Sequence, residues 1–215
     1  MPGQRLVHAV RAGMIASALV AANALSVSAQ IVMFSTSGSF SGGTGGTICT
    51  AAQCTNGGFT LTFSGAPTAN YMAPTLVDLG QFVTSYSPTG GTAGLTAFTG
   101  VGFVLQVVQT VPSGGVANIS DGIAGNLAYN PSNSSLVWSP IVTSFSIGTA
   151  AYKLVTDNTG NINIQAPTTA DNPNATSVKA NVSVTPEPAA FLLLAPGLVG
   201  LAITATIRRR SRSRA

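Results

Sequence analysis

The 215-residue sequence predicts an all-β body, a β-sandwich or jelly roll, flanked by an apolar segment at each end. Three observations predict it. Between Gln30 and Thr185 the apolar residues fall in short alternating or β-branched runs broken by Gly, Pro, Asn and Ser, and no stretch keeps a helical period. About ten short strands with no helix to cover a sheet face bury apolar surface best as two sheets closed on each other. Only 7% of residues are charged, so the polar surface must come from Ser, Thr, Asn, Gln and Gly, as is common in extracellular β-proteins.

The first element, Met1 to Ala29, opens with Arg5 and Arg11, continues through an apolar stretch from Ala12 to Leu25 and ends in the small residues Val27-Ser28-Ala29. That order predicts a secretory signal helix cleaved after Ala29. Arg5 and Arg11 are not adjacent, so nothing points to a twin-arginine route. An uncleaved N-terminal anchor is the alternative, and either delivers the body outside.

The body spans residues 30–185, roughly 155 residues, which suits one domain with a real core. Candidate strands are Ile31 to Phe34, Phe59 to Phe63, Thr75 to Thr84, Val101 to Val111, Gly115 to Asn118, Gly122 to Tyr129, Leu136 to Trp138, Thr143 to Ile147, Ala151 to Thr156, Ile162 to Ala166 and Ser177 to Thr185. Phe59, Leu61 and Phe63 alternate with Thr60 and Thr62, the pattern of a half-buried strand. Phe103 to Val108 is denser in apolar residues and is expected at the centre of a sheet. Val178, Ala180, Val182 and Val184 alternate with polar neighbours and are expected near an edge. The Gly/Ser/Thr run from Ser35 to Thr47 reads as a loop.

Cys49 and Cys54 are the only cysteines. In an exported chain they are expected to form one local disulfide. A redox or metal site is the weaker reading: the spacing is not the two-residue one of redox pairs, and the body has no histidine.

Other chemistry is scarce. The sole histidine, His8, lies in the signal segment, so Ser-His-Asp, Cys-His and His-bearing zinc arrangements lack a member in the mature chain. A carboxylate pair for glycoside hydrolysis would have to come from Asp78, Asp121, Asp157 and Asp171. Asp78 sits within a strand, Asp121-Gly122 is turn chemistry, and Asp157-Asn158-Thr159-Gly160-Asn161 reads as a hairpin tip rather than a calcium loop, which needs further spaced acids. Neither a catalytic residue nor a metal or other cofactor is expected. Trp138 with Tyr71, Tyr86, Tyr129 and Tyr152 would make a sugar platform if they met on an exposed face; burial in the core is the commoner fate of strand aromatics. Asn118, Asn133, Asn174 and Asn181 fit Asn-Xaa-Ser/Thr, a pattern that arises easily in this composition.

The formal charge of +4 belongs to the ends of the chain. Within 30–185, Lys153 and Lys179 stand against Asp78, Asp121, Asp157 and Asp171, a net of −2. A nucleic-acid footprint is absent, and no nucleic-acid partner is expected.

After the body come Pro186, Glu187 and Pro188, an uncharged apolar run from Ala189 to Ile207, and then Arg208, Arg209, Arg210, Arg212 and Arg214. About 19 residues at 1.5 Å of rise give roughly 28 Å, the thickness of a bilayer's hydrocarbon core. Residues 189–207 therefore predict a single transmembrane helix. The 208–215 tail acts as a cytoplasmic stop, because arginine is costly inside the membrane and favoured on its inner side. Pro186 and Pro188 bias Thr185 and Glu187 toward extended geometry, which leaves a stiff non-helical handle at the outer surface. A plain C-terminal anchor, a GPI signal and an arginine-serine nucleic-acid tail fit the three parts less well.

This order, over residues 186–215, resembles the PEP-CTERM sorting signal of exported bacterial proteins. The resemblance implies that a membrane cysteine protease, exosortase, recognises Pro186-Glu187-Pro188 and releases or re-anchors the cargo. Leu79 to Phe82 and Gln109 to Pro112 look, more weakly, like segments of a recurrent β-rich cargo of that system, which carries no activity over. The resemblance further implies a Gram-negative source that makes exopolysaccharide. The expected molecule is then a non-enzymatic protein that passes transiently through the inner membrane to the cell surface or extracellular matrix, linked to biofilm or exopolysaccharide. A carbohydrate-binding module on the same route, and a permanently anchored protein, are the alternatives.

Overall fold

A computed structural model describes residues 29–87, 94–128, 134–168 and 173–185. Among these there is no helix, and thirteen strands form two antiparallel sheets. The strands are β1 (Gln30–Thr44), β2 (Ile48–Cys49), β3 (Gln53–Asn56), β4 (Phe59–Gly65), β5 (Ala69–Ala73), β6 (Thr75–Tyr86), β7 (Thr96–Val111), β8 (Gly115–Leu127), β9 (Leu136–Trp138), β10 (Ser144–Ile147), β11 (Ala150–Leu154), β12 (Ile162–Ile164) and β13 (Asn174–Val184). The first sheet runs β12-β9-β8-β7-β1-β5 and the second β10-β11-β13-β6-β4-β3-β2.

Alternation makes the core. Phe59 and Leu61 of β4, Val77, Leu79 and Phe82 of β6, and Val101, Phe103, Leu105 and Val107 of β7 are all buried, alternate side chains pointing inward with the phase of β6 shifted by one residue at Gly80. At the centre, rings from both sheets meet: Phe103 lies 4.8 Å from Phe82, 5.2 Å from Trp138, 4.9 Å from Phe40 and 5.1 Å from Phe63 between centroids. The Phe103 and Trp138 planes are at 88°, the edge-to-face arrangement that ring quadrupoles favour. Burying each such side chain stabilises the fold by about 1.5–3 kcal/mol. This shared core fastens one sheet to the other.

Buried and half-buried hydroxyls add polar ties between distant segments. Thr36 Oγ1 donates to Leu79 O at 2.6 Å and accepts from Ala66 N–H at 2.7 Å. Thr84, wholly buried, donates to Gln165 O at 2.7 Å.

The all-β expectation holds, and β7 lies inside its sheet between β8 and β1 as the apolar density of Phe103 to Val108 suggests. Several expectations need correction. Ser35 to Thr47 is not a loop: β1 runs through Thr44 and pairs with β7 along its length. Small residues do the work there, because a Cβ on Gly38 would collide with the Phe63 and Phe103 rings. β13 is not near an edge; it lies between β11 and β6, and its polar positions face outward. The two expected strands Gly115 to Asn118 and Gly122 to Tyr129 are one as far as Leu127: β8 continues across Asp121-Gly122, and Tyr129 lies outside the described residues. The short β2, β3 and β5 lack the apolar alternation that marks a strand in sequence. Pairing places Cys49 directly opposite Cys54, and their sulfurs are bonded.

Among the described residues no helix is long and apolar enough to cross a membrane. The signal segment 1–28, the Pro186-Glu187-Pro188 box, the apolar run 189–207 and Arg208, Arg209, Arg210, Arg212 and Arg214 lie outside the described residues. Ala29 is described and exposed, immediately ahead of β1.

Candidate functional site

Both ends of the body emerge together. Gln30 pairs with Ala73, and Val182 pairs with Thr75, so the first residue of β1 and the last residues of β13 flank the short turn at Pro74. The β7–β8 and β10–β11 turns reach the same end. Thr185 is held there by its N–H and its hydroxyl, which donate to Thr149 O at 3.0 and 3.2 Å. The exit point of the chain is therefore fixed to the β10–β11 turn rather than left loose. At the opposite end Thr84 pairs with Asn174 and Thr96 with Leu127.

A buried polar network braces the exit end. Tyr152 of β11 donates its hydroxyl to Gln109 Oε1 of β7 at 2.6 Å. Gln109 Nε2 donates in turn to Ser113 O at 2.9 Å and Ile147 O at 3.1 Å. Burial pushes the Tyr152 hydroxyl above its ordinary pKa of 10.0. Gln109 is among the few buried polar side chains, and every hydrogen-bonding atom of its amide named here is engaged. Sequence reading passed over Gln109 as chemistry. The available signal was an amide at the next place in the inward series Phe103, Leu105, Val107, whereas Gln106 falls on the other phase.

Outside this network, the second sheet carries a shallow groove of about 610 Å³. Ser144, Lys153, Asn181 and Leu76 cross it as one row of register partners on β10, β11, β13 and β6. All four are exposed. Lys153 gives the groove its charge.

The aromatic residues among those described do not form a sugar platform. Trp138 is 0 % exposed and Tyr152 1 %; Tyr86 is buried against Phe59 at 4.7 Å, and Tyr71 is half-buried and stacked on Phe34 at 4.9 Å. Tyr129 lies outside the described residues. Trp138 Nε1 has no hydrogen-bond partner among the described residues, so this indole serves the core with its ring.

The carboxylates are likewise occupied locally. Asp78 Oδ1 accepts from Gly80 N–H at 2.8 Å, and Asp121 Oδ1 accepts from Gly122 N–H at 2.6 Å. Asp157 Oδ1 accepts from the Thr159 hydroxyl at 2.7 Å and from the Thr159 and Asn161 N–H groups at 2.9 Å each, while Oδ2 accepts from Asn163 Nδ2 at 3.0 Å. These donors, the Thr159 hydroxyl foremost, hold the Asp157 carboxyl at about 2. The turn chemistry of the sequence reading is there but the hairpin is not: β11 belongs to the second sheet and β12 to the first, so this turn carries the chain from one sheet to the other. Asp171 lies outside the described residues. No group of three His, Cys, Asp or Glu able to hold a metal occurs among the described residues. Of the Asn-Xaa-Ser/Thr asparagines, Asn174 is tied to Ala166 O at 3.0 Å, Asn118 to Gln106 at 3.1 Å, and Asn181 faces the groove.

Comparison with protein-family models, curated proteins and solved structures gives no match. The functional reading therefore rests on the residues of this chain.

Proposed function

We propose that this is a non-enzymatic exported protein with a β-sandwich body, addressed by a C-terminal PEP-CTERM-like segment and processed by exosortase at the inner membrane. Its destination is the cell surface or an exopolysaccharide matrix, where the body serves as structural material. The observation that carries the reading is the order of the last thirty residues: Pro186-Glu187-Pro188, the apolar run 189–207, then five arginines. Two further points support it. Thr185 is bonded to Thr149 one residue before Pro186, so a handle at 186–188 would start directly after a residue tied into the body. The ionic side chains of the body are few, and its described carboxylates each accept hydrogen bonds from near neighbours in sequence, which suits packing in a polar matrix better than turnover of a substrate.

The burial of Trp138 and Tyr152 weighs against the glycan-binding alternative in its ring-stacking form. Replacing Glu187 with Gln, or deleting residues 208–214, leaves an unprocessed membrane form on this reading. Cell fractionation with mass spectrometry of the mature C-terminus tests it; native protein that still carries the arginine tail would refute sorting by cleavage.

A further inference from the structure

We propose that the exit end of the body rests on the lipid headgroups while residues 189–207 are still attached, with Ile31, Met72, Leu76 and Val116 as its contact residues. The inference rests on the membrane-spanning part of the proposed function and adds an orientation and a contact surface to it.

The tether leaves little freedom. From Thr185, pinned to Thr149, to Ala189 is four residues, which reach at most about 14 Å fully extended. The headgroup layer on one side of a bilayer is itself roughly 5–7 Å thick. A membrane helix starting at Ala189 thus draws the end of the body that carries Thr185 against the interface. The opposite end, with Thr96 and Leu127, faces away.

The surface at that end is suited to such a contact. Ile31 and Met72 are register partners and are 50 % and 69 % exposed; Leu76 is 53 % and Val116 58 % exposed. Met33, two residues from Ile31 on the same face, and Val108, the partner of Val116, are half-buried and extend the apolar surface. Exposed apolar side chains scattered singly need no explanation. Ile31, Met72 and Val116 project from the outer face of the first sheet and Leu76 from that of the second, and each is one residue in from its strand's terminus at the end where the chain leaves the body.

Charge points the same way. Across 30–35, 69–76, 106–118, 144–153 and 181–185, the segments that build this end, the single ionic side chain is Lys153. The nearest carboxylate along β6, Asp78, lies two residues beyond Leu76, while Asp121 pairs with Phe103 farther up β7 and Asp157 lies past the end of β11. Anionic headgroups would meet no like charge and one cation. A lipid surface fits these features better than a second copy, because the tether fixes which end meets the membrane and does not select a neighbouring chain.

The test uses the full-length chain in vesicles of phosphatidylethanolamine and phosphatidylglycerol, with a nitroxide at Met72→Cys, at Val116→Cys or, as the far-end reference, at Leu95→Cys, and the Cys49–Cys54 bond left intact. Collisional broadening by a water-soluble nickel chelate is expected to be several-fold weaker at 72 and 116 than at 95. Equal broadening at all three positions, in chains that float with the vesicles, overturns the seating while leaving the membrane span standing. Failure to float overturns the span and the seating together. Protection at 72 that grows with the protein-to-lipid ratio assigns the surface to a second copy and also overturns it.

Discussion

The Tyr152 hydroxyl reaches across the core to Gln109 Oε1 at 2.6 Å, joining β11 of one sheet to β7 of the other. Gln109 spends its two amide protons on Ser113 O and Ile147 O, so one side chain fastens both turns at the end where the chain leaves the body. Tyr152→Phe keeps the ring, including its parallel stack on Phe145 at 4.9 Å, and strands Gln109 Oε1 in a buried site. An unsatisfied buried acceptor costs about 1–3 kcal/mol. Urea unfolding should show a loss of that size with an unchanged m-value, and a loss within error would mean that water reaches the amide. Because burial raises the Tyr152 pKa above 10.0, the wild type should also lose stability as pH rises past that value, where the unfolded chain ionises and the folded one does not. The Phe variant should lose less over the same range.

Strand alternation made the heart of this fold legible. Phe59-Leu61-Phe63 and Phe103 to Val108 display a period of two or a dense apolar run, and both lie where that pattern puts them. What escaped were strands whose identity depends on neighbours. β1 beyond Phe34 is built mostly from Ser and Gly, which do not mark a strand in isolation, and becomes a strand because Phe40 is buried and β7 pairs with it. β13 looks like an edge in sequence because its alternate residues are polar, yet a central strand of a sheet with one wet face has the same pattern. In the candidate site, the turn role of Asp157 was readable from Asn, Gly and Thr around it. The role of Gln109 was not, since its partner Tyr152 is 43 residues away. The grouping of Ile31, Met72, Leu76 and Val116 depends on topology that no local window contains.

Gly80 explains the Leu-Gly-Xaa-Phe segment in physical terms. Its φ is +118°, and a Cβ there would lie 2.5 Å from Ser64 O and 2.6 Å from Phe63 Cζ. The close approach lets β6 pack on β4 while Leu79 and Phe82 both reach the core. Gly80→Ala introduces strain and a backbone clash at once, and should destabilise the protein by more than about 1 kcal/mol. Thermal unfolding of the variant beside Gly160→Ala checks this: Gly160 also has positive φ, at +84°, but nothing lies within 4 Å of its added Cβ. An equal loss at both positions would show that backbone strain alone is responsible and that the contact with Ser64 and Phe63 is unimportant.

The Asp157 turn provides a prediction whose sign follows from its bonds. Thr159 and Asn161 donate to the ionised carboxylate, with Asn163 on its second oxygen, and the pKa is lowered from the ordinary 3.8 to about 2. A carboxylate with a depressed folded pKa stabilises the turn above 3.8; that contribution declines as pH falls toward 2 and is gone below it. The group is fully exposed, so the effect is local and should appear in the turn rather than in global unfolding. The amide proton shifts of Thr159 and Asn161 should therefore titrate together with a midpoint near 2, well below that of an unengaged aspartate. In Asp157→Asn the titration disappears. The amide that replaces Oδ2 would point a donor at the Asn163 Nδ2 donor, so the turn should be loosened at neutral pH as well. A wild-type midpoint at 3.8 would mean that the four donors do not hold the carboxylate in solution.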